Sequence, residues 1–195
     1  MKYEDNIYTV IGIALFAGIF FFLYNFAGKG CSHSNCSELK ECVDQLKSNS
    51  AQKRACAAYN LGKMEEKPLD AVPMLIDMLN DVQSVRIKRG FDRYYSLSSP
   101  AYEAITALGE IKDRRAVEPL IQHLAGSSQS LKLAIIWTLK DIRDDRAIGP
   151  LIDSLTKKDD DITREASRAL KEITNEDFGE DHSKWQEWWS QQGSQ

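Results

Sequence analysis

The feature that most constrains this chain is an internal repeat. Three segments align without gaps: Asp70–Leu79 (DAVPMLIDML), Arg115–Leu124 (RAVEPLIQHL) and Arg146–Leu155 (RAIGPLIDSL). Each segment is followed by a second helical pattern, at Ala101–Lys112, Leu131–Arg143 and Ile162–Thr174. Apolar residues recur there at three- and four-residue spacing, as in Ile105, Leu108, Ile111 and again in Ile135, Leu139, Ile142. No segment alternates apolar and polar residues as a strand does. A helix pair of this size cannot bury its apolar face alone, so copies must stack. The expected fold class is all-α: a short α-solenoid of about four helix pairs.

A fourth copy precedes these three. Glu38–Lys47 aligns with the first helix of a pair and Lys53–Met64 with the second. Matching leucines share one interval in three copies: Leu46 to Leu61, Leu124 to Leu139 and Leu155 to Leu170. From Leu79 to Leu108 the interval is nearly doubled, so the second copy carries an insertion. Turn chemistry agrees with these boundaries. Asp113 and Asp144 stand between copies, where a carboxylate caps free amides. Ser99-Pro100 reads as an N-cap followed by proline at the first helical position.

These residues resemble the HEAT-like repeats of the phycobilin-lyase type. The carriers are Ala116-Val117, Pro119-Leu120-Ile121 and Leu124, with Ala107-Leu108-Gly109-Glu110-Ile111. They recur as Ala147-Ile148, Pro150-Leu151-Ile152 and Leu155, with Ala169-Leu170-Lys171-Glu172-Ile173. The resemblance covers about Ser37 to Asn175. It implies an armadillo-like helical architecture and a scaffold that binds a protein partner. It also implies, by fold analogy, an alternative as a lyase-like or cofactor-attachment accessory protein. The first copy departs from the pattern in its first helix, and the second carries the insertion.

The amino-terminal segment has a different solvent in view. Ile7–Ala27 runs without a single charge. As a helix it spans roughly 31 Å, the thickness of a bilayer's hydrocarbon core. Tyr8 and Tyr24 flank it at interfacial positions. A cleaved signal peptide needs a basic start and a small-x-small site, and the start here is MKYEDN. A lipoprotein signal fits poorly with Lys29 before Cys31. The expectation is an uncleaved single-pass membrane anchor, with the rest of the chain outside the cytoplasm. Charge does not orient it, since Lys2 and Lys29 lie on opposite sides.

The expected organisation follows. Residues 1–30 hold the anchor, residues 31–36 a cysteine-containing linker, and residues 37–175 the repeats. The repeats divide as 37–64, 69–112 with the insertion at about 82–98, 115–143 and 146–174. Residues 176–195 form a Trp-rich carboxy-terminal cap, in which Trp185, Trp188 and Trp189 share one helical face.

Composition excludes some functions. With 25 Lys+Arg against 29 Asp+Glu the net charge is −4, and mean hydropathy is −0.41. No nucleic-acid partner is expected, because such a partner needs a basic field. No P-loop, dinucleotide fingerprint, HExxH or haem-attachment motif occurs, so no enzyme activity and no cofactor are expected. Cys31, Cys36, Cys42 and Cys56 fall in the first third of the chain and are candidates for disulfides of undetermined pairing. Cys42 matches the core column of Leu75, Leu120 and Leu151. Cys56 matches Glu103, Ala134 and Glu165, which reads as a column outside the core. The set Cys31, His33, Cys36 and Cys42 does not have zinc spacing, so no metal is expected.

Two places suit a partner. The insertion holds Arg86, Lys88, Arg89 and Arg93 against Asp92, with Phe91, Tyr94 and Tyr95. It is +3 while the rest of the soluble part is −7, which suits an anionic partner surface or a membrane surface. The alternative is a solvated loop, or a longer helix, whose aromatics pack back on the repeats. The second place is the column of Tyr59, Thr106, Trp137 and Arg168 on the second helices. Tyr59 and Trp137 are candidate anchors for a peptide, unless Trp137 folds over a neighbouring repeat.

Overall fold

A computed structural model describes residues 36–87, 96–156 and 159–192. The chain divides into Met1–Gly30, which lies outside the described residues, and Cys31–Gln195. Nine α-helices occur among the described residues: α1 Leu39–Leu46, α2 Ala51–Lys63, α3 Val72–Asp77, α4 Pro100–Ile111, α5 Val117–Leu124, α6 Gln129–Ile142, α7 Ile148–Ser154, α8 Asp160–Thr174 and α9 His182–Gln192. They form four pairs plus a last helix. The first helices of the pairs are α1, α3, α5 and α7. The second helices are α2, α4, α6 and α8, and each packs on the next.

The start of the stacked pairs is repeated in detail. Helices α3, α5 and α7 are each entered through a 3-10 turn, at Leu69–Ala71, Arg114–Ala116 and Asp145–Ala147. Helices α4 and α6 end in left-handed residues, Lys112 at φ 62° and Arg143 at φ 56°. These reversals deliver Asp113 and Asp144 to the caps of the following 3-10 turns, where each accepts from a backbone N–H, of Arg115 and Arg146 respectively. Ser99 caps α4 as its sequence predicts, accepting from the Tyr102 amide at 3.1 Å, with Pro100 in the first turn.

Helix faces account for the core. Leu120, Leu124, Ile135 and Leu139 are buried between pairs, and so are their equivalents Leu151, Leu155, Ala166 and Leu170. Cys42 takes the corresponding core position in the first pair. The second helices approach closely through small residues. A Cβ on Gly62 would stand 2.9 Å from the Cα of Ala107, and one on Gly109 would stand 3.0 Å from the Thr138 hydroxyl. That hydroxyl donates to the Ile105 carbonyl at 2.9 Å, which satisfies a buried polar group across the α4–α6 seam. Because the atom opposing Gly62 is backbone, Gly62→Val is expected to cost about 1–3 kcal/mol by overpacking. Gly126, which has open space around it, supplies the control as Gly126→Ala. Urea melts check this, and equal midpoints for both variants would contradict it.

The structure corrects three expectations. First, the mostly helical fold carries a small sheet. The insertion in the second pair contains a two-stranded antiparallel hairpin, β1 Val85–Ile87 with β2 Ser96–Ser98, Arg86 facing Leu97. Val85 and Ile87 point down onto α2 and Arg86 points out. This alternation is only as long as the strand itself, too short to stand out from sequence. Second, Cys56 is buried rather than lying outside the core, because β1 covers it together with Ala55. Its column lies in the seams between second helices, where Glu103 and Ala134 are buried too.

Third, the membrane architecture is corrected. The span expected over Ile7–Ala27 lies outside the described residues. Among the described residues no helix is long and apolar enough to cross a membrane. The longest, α8, has 15 residues and an acidic first turn, against the roughly 20 apolar residues a span needs. The single-pass architecture is therefore not part of the fold described. The membrane localisation expected from it, with the soluble part outside the cytoplasm, is not supported by any described helix.

Candidate interaction face

The second helices place one column of side chains in register. It runs Tyr59 on α2, Thr106 on α4, Trp137 on α6 and Arg168 on α8. Tyr59 and Thr106 are half-buried, while Trp137 and Arg168 are exposed. One turn earlier along the same helices stand Tyr102, Leu133 and Arg164. The side chains of this face differ from repeat to repeat, whereas the core beneath them is mostly apolar, with Asn60, Glu103 and Thr138 buried among the apolar residues.

Trp137 is exposed for a specific reason. Its indole N–H donates to Glu165 Oε2 on α8 at 2.9 Å. The ring leans over the next repeat, yet 38% of the residue remains open to solvent. The ring thus folds over the neighbouring repeat while part of it stays open. Glu165 also accepts from Arg168 Nη1 at 2.8 Å and pairs with Arg164 Nε at 3.8 Å. Arg164 pairs with Asp161 as well, and that contact holds its guanidinium firmly in the charged form. Only 14% of the Glu165 side chain is exposed, against 46% for Arg164 and 62% for Arg168. The carboxylate lies underneath and the cations lie outside.

Between α2 and α4 the face is a shallow groove of about 360 Å³. Gly62, Thr106 and Ala107 line it, with Tyr59 and Tyr102. At its edge Lys63 donates to Glu110 at 2.8 Å. The ammonium holds the Glu110 carboxyl below its ordinary range.

A second, larger cleft of about 1000 Å³ lies between the hairpin, the start of α4 and the α5–α6 turn. Serines 84, 98, 99, 127, 128 and 130 line it, together with Leu97 and His123. Sequence reasoning missed it, because its walls are separated in the chain by the insertion. His123 Nδ1 lies 2.8 Å from the Pro119 carbonyl and Nε2 lies 3.2 Å from Asn80 Oδ1. Both ring nitrogens are thus engaged in the fold.

The basic insertion is only partly described. Arg86 is exposed on β1, and its carbonyl accepts from Gln52 Nε2 at 2.8 Å. Lys88, Arg89, Phe91, Arg93, Tyr94 and Tyr95 lie outside the described residues. The disulfide candidates are resolved in part. Cys36 is bonded to Cys42, with Cα atoms 5.1 Å apart. Asn60 Nδ2 donates to the Cys36 carbonyl at 3.2 Å and thereby ties this bridge to α2. Cys56 is disulfide-bonded as well, and Cys31 lies outside the described residues. No group of His, Cys, Asp and Glu among the described residues is arranged to hold a metal ion.

With this geometry in view, comparison with known families gives one match. Residues 99–171 match a family model described as HEAT repeats. The matched segment runs from the cap of α4 to the last turn of α8, so it contains Thr106, Trp137, Glu165 and Arg168. The match covers well under half of the chain, and over that part the paired helices are similar to HEAT repeats. No curated protein matches the chain.

Proposed function

We propose that the chain is a non-catalytic scaffold that binds a protein partner across the face of its second helices. The proposed repeats are 37–64, 69–112, 115–143 and 146–174, with 176–195 as the cap. The observation that carries the reading is Trp137. A large aromatic ring on the column of Tyr59 and Thr106 is left open, although a neighbouring carboxylate fixes its orientation. A pre-oriented, part-exposed Trp costs little entropy on binding and is the residue type that dominates binding energy in protein interfaces. HEAT repeats support the same role, since stacked repeats offer extended surfaces rather than enclosed chemistry.

The test is site-directed photo-crosslinking with the full chain. A photoreactive residue at Thr106 samples the proposed face, and one at Glu118 on α5 samples an exposed site on a first helix. Protein adducts are expected from position 106 and not from 118. Trp137→Ala is expected to reduce them about tenfold, the effect of a hot spot worth roughly 1.4 kcal/mol or more. Equal adducts from both positions, or none from 106, would refute the docking face.

A further inference from the structure

The α6–α8 end of this face specifies the chemistry of its occupant. We propose that it takes an acidic, extended peptide segment, with an apolar side chain on Trp137 and Leu133 and an adjacent carboxylate on Arg164 and Arg168. This rests on the docking-face reading above.

The argument is a count of hydrogen-bonding capacity. Each guanidinium carries five N–H donors in a planar fork. Around Glu165, two guanidiniums and one indole share a single carboxylate. Asp161 takes one further contact from Arg164. Both cations therefore keep donors unused by these contacts, and both are exposed above Glu165, with Asp161 exposed beside Arg164. A second carboxylate arriving from outside fits them bidentately, the geometry in which arginine binds best. The cluster is neutral in sum, but Glu165 is covered and the exposed Asp161 is paired to Arg164, so Arg168 is the most exposed charge that an approaching acid meets.

The other charged groups on these helices give the site a direction. Lys140 and Arg143 share Glu172 at 3.9 and 3.4 Å, and Asp141 is exposed nearby on α6. Asp141 disfavours an acid at that end. The partner's carboxylate is thus placed on the Arg164–Arg168 side of Trp137, with neutral Thr106 and Tyr102 beside it on α4.

The experiment uses two soluble probes on the full chain: a random glutamate–tyrosine copolymer and a random lysine–tyrosine copolymer. Non-specific attraction to a chain of net charge −4 favours the lysine polymer. Tighter binding of the glutamate polymer, by about tenfold and weakening with salt, is the expected result. The double variant Arg164→Glu/Arg168→Glu is expected to remove that preference. Arg168→Gln, which adds no negative charge beside Asp161 and Glu165, is expected to weaken binding several-fold with an unchanged melting curve. Lys184→Glu, at an exposed position of α9, is expected to leave binding as it was.

Preference for the lysine polymer, or no difference between the two, overturns the acidic partner. So does equal loss in Lys184→Glu and Arg168→Gln. If neither polymer binds while position 106 still gives adducts, the acidic partner fails and the docking face stands. If adducts also disappear, both fail.

Discussion

Trp185→Ala is expected to lower the stability of the chain by about 3–5 kcal/mol, the usual cost of removing a large buried aromatic. Trp185 is the largest fully buried side chain in the described residues. Its ring meets Phe178 edge-on, centroids 4.9 Å apart, and Trp188 at 5.8 Å and 90°. Its N–H donates to the Gly179 carbonyl at 2.9 Å. That carbonyl also accepts from Ser167 on α8, and Gly179 itself adopts φ 56°, where a glycine is favoured. Helix α9 packs against α7, so the aromatic group closes the end of the fourth pair. Trp185→Phe keeps a ring and loses the hydrogen bond, and is expected to cost about 1–2 kcal/mol. Equilibrium urea unfolding reads both. A Trp185→Ala variant within about 1 kcal/mol of the parent, well short of the cost of an aromatic cavity, would show that the last helix is an appendage rather than a cap.

Asp144→Ala is expected to cost about 2–4 kcal/mol, from a lost cap and lost charge-assisted hydrogen bonds. The Asp144 carboxylate is buried. It accepts from the Arg146 amide at 3.1 Å, from Arg146 Nε and Nη2 at 2.9 Å each, and from Arg114 Nε at 2.6 Å. Arg146 Nη2 continues to the Arg114 carbonyl, as Arg115 Nη2, held by Asp113, continues to the Leu69 carbonyl. Each Asp-x-Arg unit therefore fastens one 3-10 turn to the equivalent turn of the preceding pair.

The guanidinium of Arg146, more than any other group, holds the Asp144 carboxyl far below its ordinary value of 3.8. A depressed folded value means that the folded state favours the ionised form. The stabilisation is complete above about pH 4 and is lost as pH falls from 3.8 towards the folded value. Asp144→Asn keeps a capping oxygen and removes the charge, so its cost isolates the ionic part. The gap between parent and Asp144→Asn is expected to narrow steadily in melts from about pH 5 to about pH 2. A constant gap across that range would sink the assignment.

The repeat was legible because core spacing is a one-dimensional property. Leu124 to Leu139 and Leu155 to Leu170 carry the same interval, and all four leucines are buried. The caps were legible for the same reason, being contacts between near neighbours in the chain, as at Ser99, Asp113 and Asp144. What could not be read was set by contacts between repeats. Cys56 was misassigned because β1 reaches it across the chain, from Val85 and Ile87. The column of Trp137 and Arg168 was visible, but Glu165 was not recognised as their shared acceptor, since the indole's bond to it joins α6 to α8. The hairpin itself was hidden because so short a strand does not establish a period of two.

The closure at Cys36 and Cys42 has a consequence for how the domain comes apart. A stack of repeats held by nearest-neighbour contacts frays from its ends. Here one end is fastened by a covalent bridge across a core position, and the other by an aromatic wedge around Trp185. Heat acts on the wedge, while a reductant acts on the bridge and leaves the wedge intact. Reduction therefore acts on the amino-terminal end, where Asn60 ties the bridged segment to α2, and leaves the carboxy-terminal wedge untouched.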